Sequence, residues 1–241
     1  MGATVSILRR ELGAYFNTPI GYVFISFFLL LTCWLYVGTL FQQGNAEMRQ
    51  YFGLLPLFFL FFVPAISMRL WAEERKLGTL ELLLTMPIKS WQAVVGKFLA
   101  GLIFIMITLA LTIHIPLTLW CLGKPGPDFG PIIGGYLGAL VLGMIYLSIG
   151  SFASSLTADQ IVAFVIGISM NFMFFLMGYR PVLDWIKDFS PNLASIVERF
   201  GVDYHFESIS RGVVDTRDVI YALSITGFFL FLNVLVIERR R

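Results

Sequence analysis

Several residues in this chain could do chemistry, but each lacks a partner that its chemistry needs. Glu73, Glu74 and Arg75 open a charged island between two apolar runs. Paired glutamates can activate water inside a membrane when an arginine follows in the spacing E-E-x-x-x-R, but that position here is Gly78. Ser148, Ser151, Ser154 and Ser155 cluster around Gly150, yet none stands two residues after a glycine, as a nucleophilic serine in a G-x-S turn would. Gly96-Lys97 and Gly123-Lys124 have neither a glycine five residues earlier nor a hydroxyl residue after the lysine, so neither forms a phosphate-cradling loop. His114 sits in an apolar run without a carboxylate neighbour and reads as an interhelical hydrogen bond rather than a proton relay. Cys33 and Cys121 suggest neither a disulfide framework nor a metal cluster. No catalytic residue, metal site or cofactor is expected in this chain, so any energy must come from another polypeptide.

The charged island, Trp71 to Lys97, has an internal order that a plain connecting loop does not need. Glu73, Glu74, Arg75 and Lys76 come first. Gly78 and Thr79 then open a short amphipathic helix over Leu80 to Thr85, and Pro87 stops it. Glu81 falls in the first turn, where a negative charge suits the helix N-terminus. Leu80, Leu83 and Leu84 share one face, which suits a helix-in-groove contact with a partner. The alternative is a helix lying on lipid, but Glu73, Glu74 and Glu81 would then face an anionic leaflet. A second, smaller contact is expected at the turn Ala153 to Asp159, which carries Ser154, Ser155 and Asp159.

The elements that position these residues are membrane spans. The chain is 58% hydrophobic, only 13% charged, and has a mean hydropathy of +0.82. A soluble domain is about a quarter charged, and one soluble core of 241 residues cannot hide so much apolar surface. The apolar runs are Ile20 to Phe41, Phe52 to Leu70, Phe98 to Leu122, Ile132 to Phe152, Ile161 to Tyr179 and Val219 to Ile237. Each approaches the ~20 residues that cross a bilayer as helix. Six crossings put both termini on one side. Arg9, Arg10, Arg69, Arg75, Lys76, Lys89, Lys97 and the terminal Arg239-Arg240-Arg241 make that side the cytoplasm, because the opposing cations are mostly in one long segment. The net charge of +2 forms no basic stripe, so nucleic acid is not an expected partner. No cleaved signal peptide is expected, since the first run is too long and lacks a cleavage pattern.

Three further pieces complete the plan. Val5, Leu8, Leu12, Tyr15 and Phe16 have helical spacing, with Arg9, Arg10 and Glu11 off the stripe; this predicts an interfacial helix over Thr4 to Phe16. The long segment Arg180 to Asp218 predicts two short helices. The first starts at Ser190-Pro191 with an apolar face of Leu193, Ile196, Val197 and Phe200, and ends at Gly201. The second runs from Tyr204 to Arg211, and Asp215 with Thr216 then cap the last span. Gly134, Gly135, Gly138, Ala139 and Gly143 give the fourth run a small face, expected to pack within the subunit. The fold class is therefore all-α integral membrane. It is one domain over 1–241, with an interfacial helix at 1–18, a coupling region at 71–97 and a helical segment on the opposite side at 180–218.

With those residues in hand, the chain resembles the ABC-2-type permeases, the membrane subunits of ATP-binding-cassette (type V) exporters. The stretch Glu73 to Pro87 is similar to the family pattern E-x-x-x-G-T-x-E-x-L-L-x-x-P, with Lys97 following at the foot of the third span. The resemblance implies that Glu73, Glu74, Gly78, Thr79, Leu80, Glu81, Leu83, Leu84 and Pro87 form the coupling helix that docks on an ATPase. It also implies two copies of that ATPase, which hold ATP and Mg, and a second permease subunit, identical or different. The stretch His205 to Asp218 resembles the gliding-motility-type subgroup, which accompanies a membrane-anchored accessory protein. The implied location is the bacterial inner membrane, and the implied activity is ATP-driven export or extraction of a hydrophobic or amphipathic substrate. The alternative is an ATPase-driven mechanotransmitter or scaffold that acts on an accessory protein without transport.

Overall fold

The computed structural model describes residues 2–43, 48–81, 88–122, 129–212 and 215–239. Among these residues the chain is helical, without strands, and six helical stretches are long and apolar enough to cross a membrane. The elements are α1 (Ala3–Asn17), α2 (Pro19–Gln43), α3 (Arg49–Ser67), α4 (Arg69–Lys76), α5 (Ser90–Leu111), α6 (His114–Leu122), α7 (Phe129–Leu156), α8 (Gln160–Gly178), α9 (Arg180–Phe189), α10 (Pro191–Phe200), α11 (Val202–Ser210) and α12 (Thr216–Glu238).

Helix α7 is the hub. It packs against α3, α4, α5, α8, α11 and α12, and its small face permits this. A Cβ on Gly135 would lie 2.3 Å from the Phe52 ring, and one on Gly134 would lie 2.6 Å from the Ile209 carbonyl oxygen. Gly143 likewise seats the side chains of Ile105 and Phe59. The small residues of the fourth span thus serve packing within the subunit, as expected.

The helix breaks have local causes. Proline lacks the N–H for the i−4 carbonyl and its ring crowds that carbonyl. Pro116 does this to Thr112, and the third crossing divides there into α5 and α6. Asp159 caps α8 by accepting from the backbone N–H of Ile161 and Val162 at 2.8 and 3.2 Å, and Asp215 caps α12 through Arg217 N–H at 3.2 Å.

The segment before the last span differs from expectation. It holds three helices, because Arg180–Phe189 is also helical, with Pro181 in its first turn. Ser190 does stand before α10, but its side chain makes no cap bond. Of the expected apolar face, Leu193, Ile196 and Phe200 are exposed, and Ala194 is the buried residue of α10. The sequence stripe was real, but it faces away from the chain, alongside exposed Trp185 and Phe189.

Candidate functional site

The segment expected to couple, around α4, is built on a charged junction at the end of the bundle that carries the N-terminus. Lys97 enters from the first turns of α5, and its side chain is 1% exposed. Its ammonium lies 3.0 Å from Glu11 Oε1 of α1 and 3.1 Å from Glu74 Oε1 of α4. It also sits 5.1 Å from the Trp71 ring centroid, close enough for cation–π attraction. Arg10 reaches both carboxylates from the solvent side, 2.6 Å from Glu11 and 2.5 Å from Glu74. One buried cation therefore ties three helices that are distant in sequence. The sequence stripe had Glu11 off the packed face of α1; in fact it turns inward, because Lys97 supplies its counter-charge, and Ile7 is buried beside it.

Helix α4 is fastened to α7 by hydroxyls. The first N–H groups of a helix have no intrahelical acceptor. Here Ser154 Oγ accepts from Trp71 N–H and Ala72 N–H, both at 3.1 Å, and donates to the Met68 carbonyl at 2.7 Å. Ser151 Oγ accepts from the Trp71 indole at 3.2 Å and from the Asn233 amide at 2.8 Å, which brings α12 into the same network. Arg75 donates to the Ser155 carbonyl at 3.2 Å, and Arg69 pairs with Glu73 at 2.7 Å. The side chains of Ser154 and Ser155 are buried against this chain and do not face outward: Ser154 holds α4, and the Ser155 hydroxyl donates to the Phe152 carbonyl of its own helix at 2.7 Å, while Asp159 is exposed as the cap of α8.

Beyond α4 the chain turns at Gly78, whose φ of +70° favours glycine. Thr79 Oγ1 closes the turn by donating to the Glu74 carbonyl at 3.3 Å. Residues 79–81 are helical, and the remainder of the expected helix, 82–85, lies outside the described residues. Leu80 is only 7% exposed and joins the apolar core of this chain, so its side chain is not on an outward face. The exposed surface is Lys76, Leu77, Gly78, Thr79 and Glu81, and Leu77 is the apolar member at 68% exposure. Sequence reasoning missed Leu77; the signal was its place directly before a glycine that reverses the chain. Leu83, Leu84 and Pro87 lie outside the described residues.

Residues 39–200 match the family model described as ABC-2 family transporter protein. The chain belongs to that family, as its membrane permease. No curated protein matches the chain. An ABC-2 permease domain has no ATPase activity and carries no cofactor; nucleotide is bound by an ATPase partner. This accords with the failed catalytic motifs of the sequence. Among the described residues there is no cluster of ligands that could hold a metal.

The opposite end of the permease is open. Two adjoining cavities of about 660 and 460 Å³ share Arg180, Glu207 and Arg211. Arg180 donates to both Glu207 oxygens at 2.8 and 2.9 Å, and Arg211 donates to one of them at 2.5 Å. Arg49 lines the smaller cavity from the start of α3. His114 stands at the break between α5 and α6, with Nδ1 2.7 Å from the Leu111 carbonyl oxygen and Nε2 3.4 Å from Cys33 Sγ of α2, so it makes the expected interhelical contact.

The junction has a pH signature. Burial alone would raise the Glu11 carboxyl, but Lys97 and then Arg10 outweigh it and hold the group below the ordinary 4.5. A depressed carboxyl contributes stability that is complete above its ordinary value and is lost as pH falls through the depressed one. Thermal melts of the purified permease should be flat from pH 7 to about 5 and fall below about 4.5. Glu11→Gln should start from a lower melting temperature and lose less of it on acidification. An equal acid loss in both proteins would refute the assignment.

Proposed function

We propose that this permease couples ATP hydrolysis by its ATPase partner to export or extraction of a hydrophobic or amphipathic substrate. The reading includes a single membrane domain over 1–241, a bacterial inner membrane, cytoplasmic termini, and a complex of two permeases with two ATPases. Closed twofold symmetry is the usual arrangement for such assemblies. The observation that carries the reading is the Lys97 junction beside the exposed turn 76–81. A push on that turn reaches α4, and through Lys97 and the serine network it reaches α1, α5, α7 and α12 together. Helices that make up most of the spans would thus move as one body when the ATPases close. The apolar and aromatic span surfaces suit a substrate with a large apolar part.

A second reading, a mechanotransmitter working on an accessory protein of the gliding-motility type, is favoured by the outward apolar row Trp185, Phe189, Leu193, Ile196 and Phe200. Flux assays separate the two. Reconstituted permease and ATPase should move labelled lipid or amphipathic probes across sealed vesicles in an ATP-dependent way. Robust ATP turnover with no flux would favour force transmission. Orientation has its own test, with Cys33 and Cys121 replaced. An impermeant thiol reagent should label Ser195→Cys in intact cells and should reach Lys89→Cys only after lysis. Both positions are exposed. Labelling of Lys89→Cys in intact cells would reverse the orientation.

A further inference from the structure

We propose that the smaller cavity at the end away from Lys97 binds the phosphate of a membrane phospholipid, with Arg49, Arg180 and Arg211 as its donors. Arg49 enters from the start of α3 and Arg180 from the start of α9, and Arg211 directly follows α11. Three stretches distant in sequence thus bring one guanidinium each to one cavity. Its volume of about 460 Å³ falls within the roughly 300–1,000 Å³ of small-molecule sites.

Charge selects this cavity over its neighbour. In the larger one, Arg180, Lys187 and Arg211 meet Asp184, Glu198 and Glu207, so three cations face three carboxylates. Lys187 is also paired with Asp184 at 3.3 Å. In the smaller one, Arg49, Arg180 and Arg211 meet Asp203 and Glu207, which leaves one positive charge. A phosphodiester carries one negative charge and balances it. Among the described residues Arg49 has no ion-pair partner, so the excess cation is not spent on a carboxylate there.

Glu207 prepares two of the three donors. Its two oxygens accept from Nη2 of Arg180 at 2.8 and 2.9 Å, and Oε1 accepts from Nη2 of Arg211 at 2.5 Å. One carboxylate therefore holds two like-charged groups side by side, and ordering them beforehand lowers the cost of binding. A guanidinium has five N–H donors in a planar fork. The bonds to Glu207 use Nη2 alone, which leaves donors on each fork for an anion. Such forks match phosphate oxygens in pairs.

The rest of the lining assigns the phosphate to a lipid. Tyr179, Pro181 and Phe206 share the cavity with the arginines, as does Gly53, one turn along α3 from Arg49. A Cβ on Gly53 would meet nothing within 4 Å, so this wall is open. The cavity stands where the candidate spans Arg49–Lys76 and Gln160–Gly178 end. Span ends lie at the depth of phospholipid headgroups. A lipid can place its phosphate on the arginines and run its chains along the spans. Such binding needs neither ATP nor the ATPase, so it stands apart from the export reading.

Protection of a thiol reads the site out. Ser210 lines the cavity, and its hydroxyl donates within its own helix to the Glu207 carbonyl at 2.9 Å. Ser195 is exposed elsewhere. Full-length permease with Cys33 and Cys121 replaced carries Ser210→Cys or Ser195→Cys. It is placed in phosphatidylcholine nanodiscs with increasing phosphatidylglycerol and labelled with a neutral maleimide. Dividing the Ser210→Cys rate by the Ser195→Cys rate removes the general effect of surface charge on thiols. Phosphatidylglycerol should lower this ratio to a plateau. The fraction giving half protection should rise about fivefold in Arg49→Gln, the effect of one arginine beside anionic lipid. Gly53→Leu fills the open wall and should remove protection, while leucine favours the helix and keeps the fold. Lys187→Gln, which lines the larger cavity alone, should change nothing. No protection in the parent, or unaltered protection in both Arg49→Gln and Gly53→Leu, overturns the site. A shift in Lys187→Gln as large as in Arg49→Gln means diffuse surface charge and overturns it too. If Arg49→Gln does not fold, Gly53→Leu decides. Glycerol phosphate added to pure phosphatidylcholine nanodiscs should protect far less than the lipid. Equal protection at the same total concentration makes the ligand a soluble phosphate and overturns the lipid assignment.

Discussion

Lys97→Met is expected to cost the permease about 3 kcal/mol of stability, the lower part of the range for removing one partner of a buried ion pair. The lost attraction is the smaller part of that cost. Glu11 and Glu74, whose side chains are 15% and 14% exposed, would keep their charges with one shared cation, Arg10. Methionine roughly conserves the apolar stem, so packing on Trp71 survives and the loss isolates the charge. Neutralising the two acids as well should reverse most of it. Lys97→Met with Glu11→Gln and Glu74→Gln leaves Arg10, which is half exposed and tolerates solvent. Thermal unfolding of the single and triple variants in the same detergent measures both effects. A triple variant no more stable than the single one would mean that Lys97 acts by shape and not by charge. The same pair separates stability from coupling: the triple variant should fold yet stimulate its ATPase poorly, because α1 and α5 no longer move with α4.

The spans were readable because about 20 apolar residues in a row have few other uses in a chain this poor in charge. The termini of elements were readable where a local residue sets them, as at Asp215 before α12. What escaped was set by partners far away in sequence. Nothing near Glu11 announces that it faces inward; its counter-charge lies 86 positions away. The third run was started at Phe98 because a lysine is costly in lipid, yet α5 begins at Ser90 and Lys97 is paid for by two carboxylates. The serines near Gly150 looked like a weak catalytic or docking signal, and the use of Ser151 and Ser154 as acceptors for α4 depends on how α3 ends. The missed α9 has a different cause. Its buried face is narrow, Leu183 with partly buried Val182 and Ile186, while the larger Trp185 and Phe189 are exposed. Of the coupling motif, the turn at Gly78 and the start of the helix were legible, but the facing of Leu80 was not. One leucine stripe serves equally well against a partner or against its own bundle.

That ambiguity yields a discriminating experiment on neighbouring leucines. Leu77 is exposed at the turn, and Leu80 is buried in the core of the permease. If the turn docks in a cleft of the ATPase, Leu77 loses water on binding. Burial of a leucine is worth about 1.5–3 kcal/mol, which is about 10- to 150-fold in affinity at each of two sites. Leu77→Asp adds a charge where the side chain already faces water, so insertion, folding and melting temperature should hold, while the ATPase is lost on purification and its stimulated activity falls. Leu80→Ala should act in the reverse order. A cavity at that position costs about 2–3 kcal/mol of stability, with docking weakened only as far as the fold is. Glu81 is exposed beside Leu77 and suits pairing with a basic residue of the ATPase, so Glu81→Lys should slow association more than it speeds dissociation. Copurification of the ATPase at the normal ratio with Leu77→Asp, together with its loss in a well-folded Leu80→Ala, would mean that the leucine stripe and not the turn is the docking face. The helix would then have to rotate its apolar side outward to bind, and the closed junction around Lys97 would be the resting form of the permease.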